Sequence, residues 1–136
     1  MLPLAIRAAA LVPLFSGAAG ALTGADFLGE AAGPATESHL RYLSGLLLGL
    51  GAVVFWCAGD LPRRSALFGA ICAVVVLGGL ARLGGLVAEG APPLPHLLAL
   101  GMELLVTPAL WLWARFGQRR RHEPSAAELN TWLHSG

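Results

Sequence analysis

Four long apolar runs divide this chain, and none shows the strict alternation of a barrel strand. They cover Leu4 to Leu22, Leu40 to Ala58, Ala66 to Val87, and the stretch after Pro95 as far as Phe116. About 20 predominantly apolar residues suffice for a helix to cross a bilayer, and each run meets that length. Backbone groups in lipid must pair within their own segment, so the pattern predicts an all-α integral membrane bundle of four transmembrane helices.

Polar punctuation separates the runs. Thr23 to Ser38 is rich in Gly, Ala, Pro and acid, with Asp26, Glu30 and Glu37, and reads as an external loop. Asp60-Leu61-Pro62-Arg63-Arg64 reads as a tight polar turn in which Pro62 stops any continuing helix. Glu89-Gly90-Ala91-Pro92-Pro93 joins the third and fourth runs. The first run has Arg7 near its start, Pro13 in its middle and Ala19-Gly20-Ala21 towards its end. Those features fit a cleaved signal peptide as well as a retained span, and the retained span is the expectation taken. The spans occupy residues 1–117, leaving 118–136 as a basic cytoplasmic tail. Within that tail Ser125-x-x-Glu128 matches a capping box, and Leu129, Trp132 and Leu133 share a face, as in a short interfacial helix; a disordered tail is the alternative.

Composition agrees with a lipid environment. Of 136 residues, 56% are hydrophobic and only 12% charged, against about a quarter charged in ordinary soluble domains. The net charge of +1 carries less information than its distribution. All nine basic residues are arginine, and Arg7, Arg63, Arg64, Arg115 and Arg119 to Arg121 collect on one side of the spans, with Arg41 alone at the other. This asymmetry predicts that both termini are cytoplasmic. Trp111 and Trp113 beside Arg115 are an interfacial signature, and the run Arg119 to Arg121 next to it suits an anionic membrane face better than nucleic acid. Cys57 and Cys72 both lie in spans and read as small buried apolar residues. No Cys and His spacing suits a metal, no glycine-rich phosphate loop is present, and nothing predicts a cofactor or a catalytic nucleophile.

The candidate chemistry lies inside the bundle. An ionised side chain deep in the bilayer costs about 2.5–3.5 kcal/mol on insertion scales, so Arg82 in the third span and Glu103 in the fourth are expected to pair. On antiparallel neighbours their side chains lean towards each other, because each leans towards its own helix N-terminus. Helical spacing places His96, Ala99, Glu103 and Thr107 in one stripe, Gly78, Arg82, Gly85 and Glu89 in another, and Arg41, Ser44, Gly45 and Leu48 in a third. One reading makes Arg82 and Glu103 a folding clamp. The other makes Arg41, Arg82, Glu103, His96 and Thr107 the lining of a polar, outward-open pocket for a small anionic solute or a lipid headgroup, with Arg41 as a second cation. Thr107, preceding Pro108, also has a local role available, bonding its own helix backbone.

The series His39-x-Arg41-Tyr42-x-x-Gly45-x-x-x-Gly49, Gly78-Gly79-x-x-Arg82-Leu83, Gly90-x-Pro92 and Glu103-x-x-x-x-Pro108 resembles the bacterial family described as domain of unknown function 4345, over roughly Leu40 to Arg115. The resemblance implies four helices in the bacterial inner membrane and brings no established activity. Two functions compete: a membrane protein binding a solute or lipid in the polar pocket, and a structural subunit whose faces such as Gly45 and Gly49 meet a membrane partner or a second copy.

Overall fold

The computed structural model describes residues 1–28 and 32–122, with side chains described for 1–27 and 32–117. Four rods follow one another: α1 (Leu2–Thr23), α2 (Pro34–Cys57), α3 (Leu61–Glu89), and a fourth rod made of α4 (Leu94–Gly101), a π-helical turn (Met102–Val106) and α5 (Thr107–His122). All four are long and apolar enough to cross a membrane. The proposed tail helix from Ser125 onwards lies outside the described residues, while α5 itself continues past residue 117 to His122.

The rod ends follow from local chemistry. Gly24 ends α1 at φ 63°, and its N–H donates to the Gly20 carbonyl. The connection then winds through a short 3₁₀ turn (Gly24–Leu28). α2 starts at Pro34, whose missing N–H costs nothing in a first turn, so the segment expected to be loop up to Ser38 is helical for its last five residues. Pro62 behaves likewise. It sits in the first turn of α3 instead of stopping a helix, and the turn shrinks to Ala58, Gly59 and Asp60. Gly90, at φ 99°, ends α3, and Pro92 and Pro93 prevent its continuation.

α1 and α2 form a close antiparallel hairpin. A Cβ added at Gly17 would lie 2.8 Å from Leu48 Cα, one at Gly51 would lie 3.0 Å from Leu14 N, and one at Gly20 would overlap the Ser44 hydroxyl. Backbone therefore touches backbone along this seam, which only small residues permit. α3 pairs with the fourth rod in the same sense: Gly69 faces Trp111, Gly79 faces Glu103 and Leu104, and Arg82 meets Glu103.

The two hairpins join at one end. Ile6, Cys57, Ala58, Leu61, Phe68, Cys72 and Ala114 form the buried cluster there, with Ile6 and Cys57 fully inaccessible. Both cysteines are free thiols. Arginines decorate this basal end: Arg64 stacks 3.5 Å above the Trp56 ring, Arg7 lies 5.4 Å from the Phe55 centroid and Arg115 lies 5.2 Å from that of Trp111. Away from that end no comparable core forms among the described residues, and side chains such as Leu46, Leu77, Leu80 and Leu105 are exposed. An apolar exterior of that extent suits acyl chains and not water.

Candidate functional site

Pro108 shapes the part of the fourth rod that carries the site. It has no N–H to donate, and its ring crowds the carbonyl four residues back, at Leu104. The rod widens into a π turn over Met102–Val106 just before it, and the Thr107 N–H donates to the Met102 carbonyl, five residues back. The Thr107 hydroxyl donates to the same carbonyl at 2.9 Å, so the local role is the one this side chain takes. π turns of this kind concentrate at functional sites because they rotate side chains out of α-helical register. Here the widened turn carries Glu103.

Glu103 meets Arg82 across the α3 seam. Arg82 Nε donates to Glu103 Oε2 at 3.2 Å, and Nη2 donates to Oε1 at 3.4 Å. The seam is narrow there because residue 79 is glycine: an added Cβ would lie 2.9 Å from Glu103 Cβ and 2.8 Å from Leu104 Cδ2. Arg82 Nη1 lies 3.1 Å from His96 Nδ1. A guanidinium only donates, so Nδ1 accepts, and the imidazole proton of a neutral His96 resides on Nε2. Each guanidinium nitrogen thus holds one partner, using three of five N–H groups and leaving two. The pair is partly buried, with side-chain exposures of 37% for Arg82 and 21% for Glu103.

Arg41 belongs to a different cluster. Its Nε and Nη2 contact Glu37 Oε1 at 2.9 and 2.7 Å, and its Nη1 donates to the carbonyls of Ala21 and Leu22 at 3.1 and 2.6 Å. The Ala25 N–H donates to the other Glu37 oxygen at 2.9 Å. Arg41 therefore caps the carbonyl end of α1, where orphan acceptors and the negative end of the helix dipole both favour a cation. Spacing alone suggested a second cation for Glu103, but the ends of α1 and α2 hold Arg41 where they meet. Glu37, read as one acid of an external loop, is the residue that sequence reasoning missed. Its separation of four from Arg41 on a helix that starts earlier than expected was the available signal.

Between the two hairpins lies a cleft of about 410 Å³. Ser16 and Pro13 come from α1, and Leu43, Leu46, Leu47, Leu50, Gly51 and Val54 from α2. α3 contributes Phe68, Ile71, Cys72, Val75, Gly78 and Arg82, and the fourth rod Ala99, Met102, Glu103, Val106, Thr107 and Leu110. Of the five residues expected to line a pocket, Arg82, Glu103 and Thr107 do so; His96 stands behind Arg82, and Arg41 is at the α1 cap. The lining is mostly apolar, with the ion pair as its charged feature. The described residues contain no group of three or more His, Cys, Asp or Glu placed to hold a metal ion.

An all-helical protein of four potential membrane spans, with an ion pair facing a mostly apolar cleft, is the class that fold and site define. The family described as Domain of unknown function (DUF4345) matches residues 1–114, and the chain belongs to that family. The match reaches beyond the Leu40 to Arg115 stretch that carried the resemblance and takes in α1. No curated protein matches the chain, and no solved structure does.

Proposed function

We propose that this protein is a multi-pass membrane protein that binds an amphipathic, lipid-like molecule in the cleft between its two hairpins. The apolar part of the occupant lies against α2 and its polar head meets Arg82 and Glu103. The single observation that carries the reading is the composition of the cleft: about 410 Å³ of mostly apolar lining with one half-buried ion pair on its wall. A free small anion fits this lining poorly, since Arg82 is neutralised by Glu103 and Arg41 by Glu37. A lipid headgroup retains support, because the two uncommitted N–H groups of Arg82 suit an ester, hydroxyl or phosphate oxygen. The arginine distribution supports a basal end and both termini on the cytoplasmic side, with the cleft opening towards the other face, and the family resemblance supports a bacterial inner membrane as the location.

Lipids retained by the purified protein, identified by mass spectrometry, test the reading. Gly78 lines the cleft, and no atom lies within 4 Å of a Cβ added there, so Gly78→Leu starts its side chain in open space and takes up part of the cleft. The expected outcome is that Gly78→Leu and Glu103→Gln remain abundant and lose a lipid species that the unaltered protein retains. An unchanged lipid complement in both variants would sink the proposal.

A second reading rests on the fact that every guanidinium nitrogen of Arg82 already has a partner within the chain. In that reading the pair fixes the register of α3 against the fourth rod, and the protein acts as a subunit of a membrane complex or of a homo-oligomer.

A further inference from the structure

The basal end carries a second recess that the cleft does not include. α3 and α5 leave a groove of about 200 Å³, lined by Ser65, Ala66, Phe68, Trp111, Ala114 and Arg115. Phe68, only 2% exposed, lines both spaces and divides them. Three of the six lining residues carry hydrogen-bond donors and none carries a carboxylate. The Arg115 guanidinium lies beside the Trp111 ring and, among the described residues, forms no ion pair. The Trp111 Nε1 edge is seated against α3 because residue 69 is glycine: an added Cβ would lie 3.0 Å from Nε1. Among the described residues that indole N–H has no hydrogen-bond acceptor. The Ser65 hydroxyl reaches the Pro62 carbonyl only at 3.4 Å, the outer edge of a hydrogen bond.

Depth adds a second argument. α3 has 29 residues, about 43 Å at 1.5 Å per residue, so a hydrocarbon layer of about 30 Å centred on it leaves about four residues beyond each boundary. Leu61 to Arg64 then lie among headgroups, and Ser65 marks the boundary itself.

We propose that this groove binds the phosphate of an anionic phospholipid. Arg115 supplies the charge, the Trp111 indole N–H and the Ser65 hydroxyl supply directed donors, and Ala66, Phe68 and Ala114 take the glycerol and the first methylenes. Basic pockets between membrane helices select such headgroups. A choline headgroup would bring its own cation towards Arg115, so a headgroup with net negative charge is the one selected. The half-apolar lining and the boundary depth favour a lipid phosphate over the free ion.

The test is retention of phosphatidylglycerol by the full chain in mixed phosphatidylglycerol and phosphatidylcholine nanodiscs, read by native mass spectrometry. The unaltered protein is expected to retain phosphatidylglycerol in preference. Arg115→Gln should lower that retention about tenfold, as loss of a charge-assisted bond implies, and Trp111→Phe, which keeps an aromatic ring and removes the N–H, about threefold. Arg63→Gln, at the same end but with its side chain 87% exposed outside the groove, should change little. Equal losses in Arg63→Gln and Arg115→Gln would overturn the site in favour of diffuse attraction. Displacement of the lipid by millimolar inorganic phosphate would overturn the lipid assignment. Gly78→Leu should leave this retention intact, so the groove and the cleft stand or fall separately.

Discussion

Arg82 is held by Glu103 and His96 through all three guanidinium nitrogens, and its surroundings set what a substitution there does. Removing one partner of a fully buried ion pair costs about 3–5 kcal/mol. Part of this pair faces the cleft, so Glu103→Gln should cost about 2 kcal/mol, measured as thermal unfolding in detergent. Exchanging the two charges, Arg82→Glu with Glu103→Arg, should recover most of that stability and none of the lipid binding, because the spare N–H groups would then sit on the other wall. Recovery of both would leave the pair with a register role alone. The pairing was legible beforehand because two opposite charges in adjacent apolar runs have few other ways to coexist with lipid. The placement of Arg41 was not. A cation near a helix end serves equally well as a pocket lining or as a cap, and the choice turned on α2 starting at Pro34, which brings Glu37 one turn before it.

At the scale of the elements, glycines divide into two kinds that look alike in sequence. Gly17 and Gly20 face α2 so closely that no side chain fits, whereas Gly45 and Gly49 have no atom within 4 Å of an added Cβ. Gly17→Leu should therefore separate the hairpin, at about 3 kcal/mol or more for forced overpacking. Gly45→Leu should leave the monomer's unfolding within about 1 kcal/mol of the original, the size of a helix-propensity change. The pair of variants, followed by thermal unfolding and by crosslinking in membranes, also separates folding from assembly: loss of a crosslinked species in Gly45→Leu alone would support a partner or second copy on that face. The spacing Gly45-x-x-x-Gly49 reads from sequence as a close-packing face, but both glycines face open space, and the hairpin seam is built by Gly17, Gly20 and Gly51. Spacing cannot say which side of a rod its neighbour occupies. The π turn was likewise invisible as such, although Thr107-Pro108 marked its place, since a proline's lost donor and crowded ring must be accommodated somewhere in the preceding turn.

For the whole molecule, an even number of antiparallel rods puts both ends on one side. Reporter fusions that read out membrane side should give the same result after residue 1 and after residue 122, on the side facing the arginine cluster; opposite results would contradict the four-rod topology. That architecture was legible because long apolar runs have one solution in lipid. The cleft was not, because a leucine facing acyl chains and a leucine facing a space between hairpins are the same letter in the same period. Packing is also uneven along the bundle: Cys57, Phe68 and Ala114 close it near the arginines, and among the described residues no such cluster closes it elsewhere. The cleft between the hairpins therefore has a floor at the arginine end. Under the proposed lipid-binding reading, an occupant then leaves sideways or back by its entry route, so that reading describes a holder of membrane-soluble cargo.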